Sequence, residues 1–310
     1  LQASDRVDGV PHDRPRVSKG VWYAVTAYVT WGLSPIYWKQ LEQLPPPALI
    51  AYRVLWSLAI LGVLLLCRPR YRFGWKQATR RIARVYAIAA LLICVNWLTY
   101  VWAVTAGFIV EASLGYFITP LVTVGLGVVV LGERLRLGQW LAVALAAIGL
   151  VSLTTALGTL PWIAFVLAGS FGVYGLVKKQ APLGAVQGLT AETGMLLLPA
   201  VVWLLWAPSS AGPTTAPTPA TWLLLAGSGF LTVGPLVLFA ASVQRIPLAH
   251  MGLLQYVAPT IQFLLGVLLY DEPFGRPQLV GYGLVWAALI LFAAEGLYAR
   301  RTLSMPPFRT

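Results

Sequence analysis

A long apolar segment occurs twice in this chain and constrains the fold more than any other feature. The first copy, Ala112–Glu133, reads ASLGYFITPLVTVGLGVVVLGE, and the second, Met251–Glu272, reads MGLLQYVAPTIQFLLGVLLYDE. In the register that aligns Pro120 with Pro259, here called the proline register, the copies also share a Leu-Gly-Val triplet and a closing glutamate. Such an internal repeat predicts one structural unit that is built twice. Each copy can cross a bilayer, because about 20 apolar helical residues span the hydrocarbon core.

The composition points to lipid as the solvent. Of the 310 residues, 58% are hydrophobic and 10% are charged, whereas soluble domains carry roughly 25% charged residues. Ten apolar segments follow one another, so we predict an all-α integral membrane protein with ten transmembrane helices. Their predicted limits are Lys19–Trp38, Ala48–Cys67, Val85–Val104, Val110–Leu131, Gln139–Thr155, Leu160–Val177, Leu183–Trp206, Thr221–Ser242, Ala249–Tyr270 and Pro277–Tyr298.

The basic residues predict the orientation in the membrane. If ten spans start from a cytoplasmic N-terminus, most of the 22 Lys and Arg residues fall in inner segments; Lys39 and Arg276 fall in outer loops, and Arg53 lies within a span. The positive-inside rule then predicts a plasma (inner) membrane protein with both termini, residues 1–18 and 299–310, in the cytoplasm. The net charge of +12 is therefore a topology signal, and no nucleic acid partner is expected.

The repeat extends over the whole chain. Residues 19–155 and 156–298 are predicted to be two repeats of five helices each, and five is an odd number, so the second repeat enters the membrane from the opposite side. Secondary transporters use such inverted repeats, and rocking of the copies opens a midplane cavity to either side in turn. In a register shifted by a single position, the further matches are Trp22 with Trp162, Gly32 with Gly172, and Lys39–Gln40 with Lys179–Gln180.

Several strings also resemble a known family. They are EASLGYFITP at Glu111–Pro120, LGER at Leu131–Arg134, AYRVLWS at Ala51–Ser57, NW at Asn96–Trp97 and QYVAPT at Gln255–Thr260. Together they resemble the RarD subgroup of the EamA-type drug/metabolite transporters, roughly from Ser18 to Arg301. The resemblance implies ten helices in two inverted five-helix repeats and a polytopic inner-membrane transporter. It also implies a loose link to chloramphenicol sensitivity, but neither a substrate nor a set of catalytic residues.

Charged residues inside spans are candidates for a structural or functional role, because inserting each one at a helix centre costs about 2.5–3.5 kcal/mol of free energy. Arg53, near the outer side of the second span, either snorkels to the outer headgroups or faces the cavity and pairs with Glu111. The proline register relates Arg53 to Glu192 and Glu111 to His250. We therefore predict two pairs, Arg53 with Glu111 and Glu192 with His250, and no contact between Arg53 and Glu192.

Glu192 is the candidate for proton coupling. Burial favours the neutral, protonated form of a carboxyl group, so this side chain could carry a proton. A structural glutamate that is bonded to neighbouring helices is an equally good hypothesis. His250 is more simply a satisfied interfacial histidine than a switch.

Other polar and aromatic residues are predicted to line the same substrate cavity, although core packing is an alternative for each aromatic residue. They are Tyr28, Trp31, Asn96, Trp97, Tyr100, Tyr116, Gln255 and Tyr256. Pro120 and Pro259 remove backbone donors, so they either kink equivalent helices or mark tolerated bends. Glu133 and Glu272 are expected to be structural and to bond adjacent loop amides.

Two inner features remain. The loop Arg68–Arg84 mixes aromatic and basic residues, so it either lies along anionic headgroups or is a solvated basic loop. Cys67 and Cys94 have no framework spacing and are expected to be reduced thiols.

The leading hypothesis is a secondary transporter that exports a small organic solute, metabolite or drug by alternating access. No GxxxxGK[ST] motif is present, so direct drive by ATP is not expected, and neither a cofactor nor a metal is expected. One alternative is an integral-membrane lipid-type transferase, which would need clustered acids, His or metal ligands at a membrane face. Another is a non-transporting membrane partner or sensor with a sealed centre. The expected partners are the lipid bilayer, the solute and, through Glu192, protons.

Overall fold

A computed structural model describes residues 14–41, 43–71, 79–106, 108–155, 162–206, 218–269 and 276–304. In these residues the chain forms eleven α-helices and two short 3₁₀ turns, which follow the first and second helices. The helices are α1 (Arg14–Trp38), α2 (Pro46–Cys67), α3 (Arg80–Thr105), α4 (Ile109–Val129), α5 (Leu137–Thr155), α6 (Trp162–Gln180), α7 (Ala185–Trp206), α8 (Pro219–Val243), α9 (Leu248–Leu254), α10 (Val257–Leu269) and α11 (Arg276–Ser304).

The helices give the predicted all-α membrane fold. Six spans are long and apolar enough to cross a bilayer: α2, α3, α6, α7, α8, and α9 with α10 as one span. Helices α4, α5 and α11 carry shorter apolar stretches, and α1 completes the ten. Each predicted segment overlaps an observed helix or, in the ninth case, two helices. The fold class is confirmed, while the division into domains at residue 155 stays a prediction.

The ninth span is broken at Gln255–Tyr256, which form a turn between α9 and α10. Pro259 contributes to the break, because a proline lacks an N–H group and its ring collides with the carbonyl four residues earlier, here that of Gln255. The backbone switches to shorter-range bonds there: the Tyr256 amide donates to Leu253 at 3.3 Å, and the Ala258 amide donates to Gln255 at 3.2 Å. Helix α4, by contrast, continues through Pro120.

The helix packing has the pattern of a two-fold axis between the halves. Three pairs of equivalent helices pack against each other: α2 against α7, α4 against α9, and α5 against α11. In addition, α1 packs against α8 and α10, while its equivalent α6 packs against α3 and α4. The first helix of each half therefore lies among the helices of the other half.

Two glycines show the same symmetry at the level of single atoms. A Cβ atom added to Gly32 of α1 would lie 2.8 Å from the Cβ of Ile261 in α10. A Cβ atom added to Gly172 of α6 would lie 2.7 Å from Cγ1 of Val122 in α4. The repeat relates the two glycines to each other, and the proline register relates Val122 to Ile261, so one close approach occurs twice. Small residues permit such contacts between membrane helices.

We expect Gly172→Ala and Gly32→Ala to destabilise the protein by about 1–3 kcal/mol each, because overpacking forces helices apart. Gly169→Ala is the matched control in α6, since a Cβ atom there would meet no atom within 4 Å. Thermal unfolding of the purified variants in detergent measures the difference. Equal stability of the Gly172 and Gly169 variants would contradict the close approach.

Candidate functional site

Arg53 of α2 is held inside the helix bundle by aromatic rings. Its guanidinium carbon lies 4.7 Å from the centre of the Trp38 ring and 4.6 Å from that of the Trp97 ring. Its Nε donates to the Thr232 hydroxyl of α8 at 3.1 Å. A cation over the faces of two indole rings is attracted by both rings. These contacts favour the cavity-facing hypothesis over snorkelling to the headgroups.

The structure does not describe the side chain of the predicted acidic partner of Arg53. Glu111 belongs to the first turn of α4, but its side chain is not among the described side chains. The pair of Arg53 with Glu111 therefore stays a prediction. On the same side of the bundle, the rings of Tyr100 and Tyr116 lie edge to face at 5.6 Å between centroids.

The break between α9 and α10 brings buried polar groups together. Gln255 Oε1 accepts a hydrogen bond from the Thr123 hydroxyl of α4 at 3.1 Å, and the Tyr28 hydroxyl of α1 lies close to the Gln255 side chain. Yet Tyr28 Oη, Gln255 Nε2 and Tyr256 Oη are all buried without a hydrogen-bond partner among the described residues. A buried polar group without a partner costs about 1–3 kcal/mol, so these atoms mark a place for water or a solute.

An aromatic wall extends from this place into the bundle. The Trp31 ring contacts Tyr28 at 5.6 Å and both Phe171 and Phe239 at 5.9 Å between centroids. The ring of Tyr174 stacks on Phe239 at 5.9 Å with an interplanar angle of 14°. The wall therefore combines α1, α6 and α8. Rigid aromatic walls with a few polar atoms are typical of small-molecule sites.

Asn96 of α3 holds two helices together. Its amide nitrogen donates to the Leu167 carbonyl at 3.0 Å and to the Ser170 hydroxyl at 3.1 Å, both in α6. The cross-helix bond expected of a mid-membrane asparagine is therefore present. Direct contact of Asn96 with a solute stays a prediction.

The predicted pair of Glu192 with His250 is wrong. Glu192 Oε1 accepts from Lys178 Nζ at 2.6 Å and Oε2 accepts from the Tyr174 hydroxyl at 3.0 Å. Both charged side chains are 1% exposed. His250 instead places Nε2 at 3.5 Å from Nε2 of Gln139. The reason is local: α6 runs beyond its predicted end at Val177, so Lys178 is inside the protein beside α7 rather than in a loop.

Glu133 bonds backbone amides, as expected, but they belong to the other half of the protein. Its two carboxylate oxygens accept from the amides of Leu248 at 2.7 Å and Ala249 at 2.8 Å, in the first turn of α9. A negative charge at a helix N-terminus is favourable. Lys179 Nζ of α6 donates nearby to the carbonyls of Val243, where α8 ends, and of Ile246, in the connection to α9. Glu272 lies outside the described residues.

Several contributing residues were not predicted from the sequence. They are Trp38, Thr232, Phe171, Tyr174, Lys178 and Phe239. Only Lys178 carried a signal that was open to another interpretation, since a basic residue at the end of an apolar segment is either a topology charge or a buried partner. The structure shows Cys67 and Cys94 as free thiols. Among the residues that the structure describes, no three His, Cys, Asp or Glu side chains gather into a metal site.

The buried ion pair predicts a thermodynamic signature. Lys178→Met or Glu192→Gln alone leaves one buried charge without its partner, and we expect each to destabilise the protein by about 3–5 kcal/mol. The double variant Lys178→Met/Glu192→Gln carries no orphaned charge and keeps an acceptor for Tyr174, so it should recover most of that loss. Thermal unfolding in detergent measures all four proteins. Additive losses in the double variant would contradict a direct pair.

Comparisons with known proteins agree with this architecture. The profile of the EamA-like transporter family matches residues 18–155 and again residues 160–294. The chain is 43% identical to the protein RarD of Streptomyces exfoliatus over 91% of this chain and 90% of that one. It is 42% identical to the uncharacterized transporter YojE of Bacillus subtilis (strain 168), over 88% of this chain and 93% of that one.

A third relative carries a more specific name. The chloramphenicol-sensitive protein RarD of Pseudomonas aeruginosa is 30% identical over 88% of this chain and 93% of that one. A solved crystal structure with 22% sequence identity superimposes with a TM-score of 0.68 over 93% of this chain and 99% of that one, which shows a shared fold.

Proposed function

The chain belongs to the EamA-like transporter family and its RarD subgroup, and from this premise we propose that it is a secondary transporter that exports a small organic solute by alternating access. Family membership and the membrane-spanning helices make it a multi-pass membrane transporter. The solute, the direction of export and the mechanism are the proposal. We place both termini in the cytoplasm, the side to which the basic residues are assigned.

One observation carries the proposal: polar atoms from both halves are buried without partners beside a broken helix. Tyr28 comes from the first half, and Gln255 and Tyr256 come from the second. Broken helices at the midplane form the binding sites of many secondary transporters. A packed, sealed centre would instead pair or exclude such atoms. Tyr28 and Gln255 would bind a polar group of the solute, and the Trp31 wall would bind its apolar part.

The site predicts how a single hydroxyl affects transport. Tyr28→Phe removes a buried hydroxyl whose neighbour is the Gln255 side chain, so we expect a loss of stability no larger than that of one hydrogen bond, about 1 kcal/mol, and about threefold to tenfold slower transport. Tyr52→Phe, at the outer Tyr52–Trp222 contact, is the matched control. The assay loads proteoliposomes with an isotope-labelled extract of bacterial metabolites and chloramphenicol, and follows efflux by mass spectrometry.

The same assay tests the function as a whole. At least one solute should leave faster from wild-type proteoliposomes than from protein-free liposomes. No faster solute would contradict transport, and new products without efflux would favour the transferase alternative. If Tyr52→Phe slows transport as much as Tyr28→Phe does, the effect is not specific to Tyr28, and Tyr28 does not belong to the solute site.

Proton coupling is proposed at the Lys178–Glu192 pair. A proton on Glu192 would neutralise the carboxylate and release Lys178, which links protonation to the side-chain contact between α6 and α7. The double variant Lys178→Met/Glu192→Gln cannot make this exchange. Its transport should therefore lose the dependence on pH that wild type shows, and a retained dependence would remove the pair from coupling.

Alternation is proposed to use two reciprocal contacts at helix ends. Glu133 lies after α4 and binds the start of α9. The proline register relates Glu133 to Glu272, and it relates Leu248 and Ala249 to Ile109 and Val110, the residues with which α4 begins. We therefore assign to Glu272 the corresponding contact with the start of α4, at the opposite membrane face and in the opposite state.

Hydrogen exchange at the backbone amides measures these two helix-end contacts directly. Glu133→Ala removes two charge-assisted bonds, each worth about 1.5–3 kcal/mol, so exchange at Leu248 and Ala249 should rise at least tenfold. Glu272→Ala should instead raise exchange at Ile109 and Val110. Glu295→Ala is the control, because it breaks an ion pair with Arg136 near the same face as Glu133. A variant that raises amide exchange at the starts of both α4 and α9 would contradict two reciprocal contacts.

A further inference from the structure

A lateral cavity opens between α2, α3 and α7, away from the proposed solute site. Its volume is about 210 Å³. It is lined by Leu65, Ile82, Ala83, Tyr86, Leu183, Gln187, Thr190, Ala191 and Met195. Along α7 the lining from Gln187 to Met195 extends for about 12 Å, at 1.5 Å per residue. The cavity is thus a narrow apolar groove with the dimensions of a hydrocarbon chain segment.

The groove is open toward the bilayer. Met195, which lines it, is 40% exposed, and Leu66, next to the lining residue Leu65, is 72% exposed. Exposed apolar side chains on membrane helices face lipid tails. The groove is therefore accessible from the membrane without entry through the bundle.

The wall of the groove is fixed by hydrogen bonds. The Tyr86 hydroxyl accepts from the Leu183 amide at 3.0 Å, which ties α3 to the connection before α7. Gly188 allows close contact, because a Cβ atom there would lie 2.7 Å from the Tyr86 ring. A preformed groove binds an apolar chain without the cost of opening a cavity.

One end of the groove is basic. Arg68 follows Leu65 by one helical turn at the end of α2, and Arg80 and Arg81 directly precede Ile82 at the start of α3; all three are exposed. None of the Asp and Glu side chains that the structure describes lines the groove. Long arginine side chains can reach headgroups from such positions, and each adds attraction for an anionic lipid.

The geometry points to a binding site for one anionic phospholipid, with an acyl chain in the groove and the headgroup on Arg68, Arg80 and Arg81. The charge at the end of the groove selects an anionic headgroup over a zwitterionic one. The occupant would also contact the transport machinery. Lys178 Nζ lies 5.5 Å from the centre of the Tyr86 ring, so the bound chain packs against a residue that borders the Lys178–Glu192 pair.

Native mass spectrometry of the full chain tests the site with two probes, phosphatidylglycerol and phosphatidylcholine, in mixed detergent micelles. Wild type should retain one phosphatidylglycerol with about tenfold preference, from the combined attraction of the arginines. Ala83→Trp fills the groove from an exposed position and should abolish this retention. Ala87→Trp, an exposed residue of α3 outside the lining, should not.

A second filling variant guards against misfolding of the first. Met195→Trp should also abolish retention, and its control is Leu198→Trp, which is exposed on the same helix outside the lining. The charge is tested by Arg68→Gln/Arg80→Gln, which should remove the preference, against Arg134→Gln/Arg245→Gln, which should not.

The outcomes separate the possibilities. Unchanged retention in both folded filling variants would overturn the groove as the site. Equal retention of the two lipids by wild type would overturn headgroup recognition. If only the arginine variant loses phosphatidylglycerol, the lipid binds through its headgroup with no acyl chain in the groove, and this result would also overturn the proposal. Each readout is binding, so it stands apart from any result on transport.

Discussion

The absence of bulk water in the bilayer core is the constraint on which this structure depends. Every polar group there must find a partner within the protein, because an unsatisfied group costs free energy that water would otherwise offset. Threonines meet the requirement within their own helices: Thr119 donates to the Gly115 carbonyl and Thr232 to the Ser228 carbonyl. Asn96 and the Lys178–Glu192 pair meet it between helices. Against this background, the buried atoms of Tyr28, Gln255 and Tyr256 that lack a partner among the described residues are the basis on which we propose a solute site there.

The spans and the repeat could be predicted from the sequence because both are properties of residue order. Hydropathy gives the spans, and the recurrence of the same strings in two registers gives the equivalence of the halves. Even the glycine pair, Gly32 with Gly172, was visible. The residues that these glycines contact could not be predicted, because contact depends on how each helix is rotated about its axis. Val122 and Ile261 are apolar residues among many, and nothing in the sequence distinguishes them.

The partners of the charged residues were the part that sequence could not give. Symmetry predicted that Glu192 pairs with His250, but a repeat preserves backbone positions rather than the charges placed on them. Lys178 lies near the end of the helix that precedes the helix of Glu192, so the short α6–α7 connection brings the two together. The aromatic partners of Arg53, Trp38 and Trp97, raise the same difficulty, since tryptophan in a span is also explained by packing or by the interface.

The two halves share a sequence pattern but differ in shape, and that difference bears on function. Pro120 and Pro259 are equivalent, yet α4 continues through Pro120 while the chain leaves the helix before Pro259. Proline alone therefore does not decide the break; the surroundings of each copy do. Gly252 of α9 packs against the backbone of α4, where an added Cβ atom would lie 2.7 Å from the Pro120 carbonyl oxygen. Its equivalent is Ser113, so this contact cannot be duplicated in the same form. Inverted halves in identical conformations would expose both sides of the membrane equally. The alternating access that we propose requires halves that differ at any moment, and the break at Gln255 and Tyr256 is one place where the described residues of the two halves differ.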